Sequence, residues 1–226
     1  MTLSDYVTQT QRLLHDPGAK YYPVADLQAY VNEGRWQIAA EGQCVRVLLS
    51  QGSTGLVTIV SQEVYSFATY SAALAAAFPG VQSVLGVVSV AISWGSMKPM
   101  LRNYVWSDFQ AYLRSYSTGL QNYPTVFSQY GQGEGGSLYL WPLPSQSTSM
   151  EWDAYCTPIN LAADSDPEVI PYPWTDAVQY YAAYKAYQNA QRYEDADRMF
   201  AQYTMYMKRA RSMSDSPVVP DFYPAF

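Results

Sequence analysis

The chain has 226 residues, 49% of them hydrophobic and 15% aromatic, enough to bury a sizeable core and to exclude a disordered polypeptide. Charged residues make up only 14%, against about 25% in an average soluble domain, and the net charge of −6 lacks the basic footprint of a protein that grips nucleic-acid phosphates. One histidine, His15, and two cysteines, Cys44 and Cys156, are too few for a four-cysteine, mixed two-cysteine/two-histidine or three-histidine metal site, so no intrinsic zinc is expected.

The first 20 residues contain Asp5, Arg12, His15 and Asp16 and no unbroken apolar run, so no secretory leader is expected and the cysteines are expected as free thiols. From Leu3 the positions Leu3, Tyr6, Val7, Thr10, Leu13 and Leu14 form a helical stripe, with Thr2 and Asp5 placed as a capping box. Asp16-Pro17-Gly18 ends this helix. A second starts near Pro23, with Leu27, Tyr30, Val31, Gly34 and Ile38 on one side, and fades by Glu41-Gly42.

The pattern then turns to short β-rich runs, Leu56–Val60 and Val64–Phe67, followed by Val84–Trp94 and Met97–Leu101 across a two-residue Gly95-Ser96 turn. Between Val64 and Met97 no residue is charged, but Pro79-Gly80 divides an Ala-rich piece, Ser71–Phe78, from a Val-rich one. Neither is long enough to span a membrane, and a buried core segment is expected. A short helix behind a cap at Ser107 is predicted from Trp106, Phe109, Tyr112, Leu113 and Tyr116. Strands resume at Leu138–Trp141 and Met150–Tyr155. Pro171-Tyr172-Pro173 then suits the start of a helix over Trp174–Gln191, and Ala196, Met199, Phe200, Tyr203, Met207 and Ala210 mark a second, completing an α-hairpin. Pro217, Pro220 and Pro224 predict a non-helical tail from Ser212.

Each chemical motif has a plain competitor. Gly131, Gly133 and Gly136 spell G-x-G-x-x-G, but a strand rather than a helix is expected after them, so a glycine-rich turn is favoured. His15, the only imidazole base, sits where a histidine stabilises the negative end of a helix. Glu151 and Asp153 share a face of a strand, and Asp164, Asp166 and Glu168 lie in a proline-flanked loop suited to turn formation. Glu194, Asp195 and Asp197 open the last helix and Lys208, Arg209 and Arg211 close it, following the helix macrodipole. The basic cluster is also a candidate for docking on an acidic partner. Tyr180, Tyr181, Tyr184 and Tyr187 surround much of their helix, so another surface must cover some of them. With four lysines in the whole chain, this composition has the character of a protein interface, and a tyrosine-rich core is the plain competitor.

These residues resemble a known family. Tyr22-Pro23, Asp26-Leu27, Tyr30-Val31-Asn32-Glu33-Gly34, Trp36 and Ile38-Ala39, followed by Cys44-Val45-Arg46, are similar to the N-terminal helix pair of tailed-phage head-to-tail adaptor proteins. Leu138-Tyr139-Leu140-Trp141-Pro142 with Pro144, Met150-Glu151-Trp152-Asp153, Thr157-Pro158, Val169-Ile170-Pro171 and a helical hairpin ending at Met213 resemble the rest of the family pattern. Residues Thr54–Ser83 lie outside it.

The expected fold is α+β, mainly α: one adaptor-like domain over 1–212, with a helical pair (1–45), a β-rich insertion (about 54–158) and a C-terminal helical hairpin (172–212), then an extended arm over 213–226. The resemblance implies a structural virion protein made in the host bacterial cytoplasm. It implies a ring, usually of twelve copies, that meets the portal protein on one side and the tail nozzle or tail-tube protein on the other. DNA passes through transiently and without specificity, and an acidic lumen would keep it from sticking. No catalysis, cofactor, metal or membrane contact is implied. Candidate interface residues are Val218, Val219, Phe222, Tyr223 and Phe226 of the arm, with Lys208, Arg209 and Arg211. The alternative is a carbohydrate-binding or carbohydrate-active module using Trp94, Trp141 and Trp152 as stacking platforms and Glu151 with Asp153 as polar partners.

Overall fold

The computed structural model describes residues 1–114 and 120–214. Its helices are α1 (Leu3–Leu13), α2 (Val24–Gly42), α3 (Gln51–Thr54), α4 (Phe67–Ala77), α5 (Trp106–Asp108), α6 (Val178–Asn189) and α7 (Tyr193–Ser214). Its strands are β1 (Arg46–Leu49), β2 (Val64–Ser66), β3 (Val81–Ile92), β4 (Arg102–Asn103), β5 (Gln121–Asn122), β6 (Val126–Tyr130), β7 (Ser137–Trp141), β8 (Leu143–Pro144) and β9 (Met150–Pro158). The class is α+β, mainly α, as the sequence predicts. The chain divides into two compact units, one built from Met1–Ile38 and the described residues from Pro171 onward, the other from Ala39–Ile170.

The helical unit begins with the predicted capping box. Thr2 Oγ1 accepts from the Asp5 main-chain N–H at 3.2 Å, and Asp5 Oδ2 accepts from the Thr2 N–H at 2.9 Å. Leu3, Tyr6, Val7 and Thr10 are the buried stripe of α1. On α2 the predicted side holds, with Leu27, Val31, Gly34 and Ile38 buried, and Arg35 is buried beside them. The helices α6 and α7 form an antiparallel hairpin, shown by ring pairs whose numbers rise on one helix and fall on the other: Tyr180 with Tyr206, Tyr181 with Tyr203 and Tyr184 with Phe200. Before α6 the chain makes a 3-10 turn over Trp174–Ala177, and α7 stays helical to Ser214, past the predicted start of the tail. Trp174 is buried, and its indole N–H donates to Ser214 Oγ at 3.0 Å.

The β-rich unit centres on β9, which lies antiparallel between β1 and β3. Met150, Trp152, Ala154 and Cys156 are buried while Glu151, Asp153 and Tyr155 are half-exposed, the period-two pattern of a strand with one covered face. A four-stranded sheet runs β2-β7-β6-β4, with β4 parallel to β6, and β5 pairs with β8. The Gly95-Ser96 turn is present: Trp94 and Met97 exchange main-chain hydrogen bonds of 2.8 and 3.1 Å, and Gly95 takes a φ of 61° that favours glycine.

Several expectations change. Leu56–Val60 is not a strand; Val57 forms only an isolated bridge to Ser149, because Thr58 ties the segment to the 146–148 turn through its hydroxyl. The Ala-rich piece is not a buried core segment. It is α4, a surface helix that buries Phe67 and Leu74 and shows alanines to solvent, an outcome that follows from alanine's high helix propensity. Met97–Leu101 makes bridges rather than a full strand. Ser107 does not cap its helix: it lies inside the first turn of α5, whose N-cap is Val105, and the chain continues as a π-helix over Phe109–Arg114. Tyr116 lies outside the described residues. Strands β1 and β6 and the two-residue strands β4, β5 and β8 are additions to the predicted set.

Candidate functional site

The paired carboxylates sit on one face of β9, as predicted, but each is matched to a cation on a neighbouring segment. Lys98 Nζ lies 2.7 Å from Glu151 Oε2, and Arg46 on β1 bonds Asp153. Both pairs are solvent-accessible, the regime in which an ion pair contributes about 0–1 kcal/mol. Two carboxylates each held by a cation are poorly placed for general acid/base work. In the acidic loop Asp166 orders a turn, its Oδ2 accepting from the N–H groups of Ala162 and Ala163 at 2.7 and 2.8 Å, and Glu168 accepts from Ile170. Among the described residues no group of three or more His, Cys, Asp and Glu side chains is placed to hold a metal ion.

His15 is exposed, just past α1, with a left-handed φ of 55°. Beside it Asp16 is almost fully buried, and its carboxylate accepts from the main-chain N–H groups of Lys20, Tyr21 and Tyr22 at 2.9, 2.7 and 3.0 Å. Burial pushes this carboxyl up, but the three donors outweigh it and hold it below the usual range. The three glycines close the β6–β7 hairpin, with a 3-10 turn over Gly133–Gly135 and no helix following, so the phosphate-loop geometry is absent there. Neither Cys44 nor Cys156 is in a disulfide, and burial pushes both thiols up to about 12, which makes them poor nucleophiles.

The tyrosines of α6 find their cover inside the helical unit. Tyr181 and Tyr187 are buried, Tyr180 stacks on Tyr206 with centroids 4.8 Å apart, and Tyr181 meets Tyr203 edge-on at 5.4 Å. Tyr181 also donates to Glu33 Oε1, and Tyr187 to the Leu13 carbonyl. Packing within the helical unit thus covers Tyr181 and Tyr187, while Tyr180 and Tyr184 stay half-exposed. The tryptophan platforms separate as well: Trp152 is 0% exposed, packed against Phe67 and Tyr70, and Trp94 and Trp141 are half-covered. A glycan-stacking surface built on all three therefore does not exist.

Two surfaces remain. On α7, Lys208, Arg209 and Arg211 are exposed, and Met205 and Met213 stand out with them. At the start of this helix Asp195 is occupied by Arg192 at 2.5 Å and Arg198 at 3.7 Å, whereas Lys208 and Arg209 make no ion pair among the described residues. The arm residues Val218, Val219, Phe222, Tyr223 and Phe226 lie outside the described residues. The second surface is in the β-rich unit, where sequence reasoning gives no warning: a groove of about 430 Å³ lined by Pro99, Met100, Arg102, Tyr104, Tyr123 and Thr125. Beside it Met97, Met100 and Val105 are 68, 68 and 70% exposed. The one sequence signal for it is the crowding of apolar residues at 97, 100, 104 and 105 beside a hairpin turn.

A comparison with protein families matches the SU10 adaptor protein model over residues 1–221. The chain belongs to this family of phage head-to-tail adaptors, and membership carries a structural, adaptor role in the virion. No curated protein matches the sequence. Among the described residues no helix is long and apolar enough to cross a membrane.

Proposed function

We propose that the chain assembles into a closed ring, of twelve copies, seated between a portal vertex and the tail nozzle or tail-tube protein, and that the ring continues the DNA channel. Family membership over residues 1–221 carries this reading. The low charge content supports it, because a ring subunit covers lateral and axial faces together. The exposed Lys208, Arg209 and Arg211, with Met205 and Met213, suit an acidic and partly apolar partner surface. The arm residues Val218, Val219, Phe222, Tyr223 and Phe226 add contact to a neighbouring subunit or to the portal. A net charge of −6 favours a lumen that DNA does not stick to. The role needs no catalytic step and no cofactor.

Native mass spectrometry of the chain mixed with the portal ring encoded nearest to it tests the proposal. A saturating, symmetric number of copies per portal is expected, and a monomer that ignores the ring overturns it. Deleting Pro217–Phe226 should weaken assembly and leave the monomer fold intact; undiminished ring formation would remove the arm from the account.

A further inference from the structure

The groove beside β4 is chemically specific. Tyr104 and Tyr123 give it aromatic walls, and the Tyr123 ring is held edge-on by Trp94 with centroids 4.9 Å apart. Met100 and Pro99 add apolar surface, and Met97 and Val105 extend that surface outside the groove. Arg102 is exposed on its edge strand and makes no ion pair among the described residues. A soluble chain seldom shows so many large apolar side chains in one short stretch unless something covers them.

The occupant must be apolar, rich in proline or aromatic groups, and acidic at one point. The sequence contains such a segment. Pro217-Val218-Val219-Pro220 is a P-x-x-P run, Asp221 follows it at once, then come Phe222, Tyr223 and Pro224, and no cation occurs from 215 to 226. Proline-spaced segments dock in aromatic-lined grooves because little conformational freedom is lost on binding. A carboxylate on such a segment matches an unpaired guanidinium in the groove.

We propose that this groove receives the Pro217–Phe226 segment of a second copy of the chain, with Val218 and Val219 against Met100, Tyr104 and Tyr123, and Asp221 paired with Arg102. The proposal rests on the ring reading above and names the surface on which the arm closes one subunit onto the next. It also commits the arm to its sister subunit rather than to the portal.

The test uses the full chain carrying a benzophenone amino acid in place of Val219, mixed with an equal amount of an isotopically heavy copy and irradiated with the portal ring present. Heavy-to-light cross-links to residues 99–105 or 123–126 are expected. Arg102→Glu should lower their yield about tenfold, the change that ~1.4 kcal/mol produces, and Asp221→Arg in the same chain should restore it. Asp221→Arg alone, which leaves residues 1–214 untouched, should give the same drop, so a folding defect in Arg102→Glu does not blur the result. Cross-links confined to one copy, made only to the portal, or made to another surface of the second copy overturn the groove assignment. If native mass spectrometry still finds the ring in those cases, the ring reading survives; if no assembly forms, both fall.

Discussion

The two units handle their aromatic side chains differently. In the helical unit the tyrosines of α6 are paired ring by ring with α7, so an aromatic surplus with the composition of an interface is internal packing. In the β-rich unit Trp152 is fully buried, but Met97, Met100 and Val105 are exposed beside the groove that holds Arg102. Counting aromatic residues therefore does not by itself locate exposed apolar surface. An interaction surface is marked by the apolar area left uncovered after the chain has satisfied itself.

The contrast can be broken by substitution. Trp152→Ala should cost about 3–5 kcal/mol by leaving a cavity under Phe67 and Tyr70. Hydrogen exchange should then show lost protection over Ala39–Ile170 with the helical unit still protected; equal loss in both would mean the units fold as one. In the helical unit, Gly34→Val pushes a side chain against Tyr181, whose Cδ1 would lie 3.0 Å from even a first added carbon. A loss of roughly 1–3 kcal/mol in urea unfolding is expected.

A subtler probe is pH. The Asp16 carboxyl is held low in the folded state, so its contribution is present above the ordinary carboxylate pKa and is lost as pH falls through the lower folded value. Asp16→Asn should lower the melting temperature at neutral pH and flatten its decline in acid; an unchanged acid limb would show that the three main-chain donors are not what stabilises this loop. The smallest effect is expected of Glu151→Gln, which removes the Lys98 pair: under about 1 kcal/mol in stability, and no change in assembly with the portal. A large assembly defect would return a functional role to the paired carboxylates.

The helical unit is legible because its signals are local. A threonine and an aspartate three residues apart make the cap of α1, apolar residues at helical spacing mark α2 and α7, and Pro171-Tyr172-Pro173 marks the approach to α6. The β-rich unit is legible where a strand alternates over nine residues, as in β9, and illegible where pairing is distant. Strand β1 is four residues long and is fixed by partners about a hundred positions away, Arg46 opposite Tyr155 and Leu49 opposite Trp152, so nothing around it in sequence announces it. Helix α4 escapes sequence reading because alanines without charges give neither a polar face nor a period. The groove is invisible for a related reason: its walls come from 99–104 and from 123–126, brought together by the parallel pairing of β4 with β6.

The bond between the Trp174 indole and Ser214 fastens the last described turn of α7 to the turn that precedes α6. It makes Ser214 a fixed mooring, from which the reach of any later residue has an upper bound. Asp221 comes seven residues later, a reach of at most about 25 Å when fully extended. Any arrangement of neighbouring copies that joins Asp221 to Arg102 must bring the mooring of one within that radius, plus two side chains, of the groove of the next. On the proposed contact the length of chain between Ser214 and Asp221 would bound the subunit spacing, and inserting a few residues there should loosen the spacing without touching either surface.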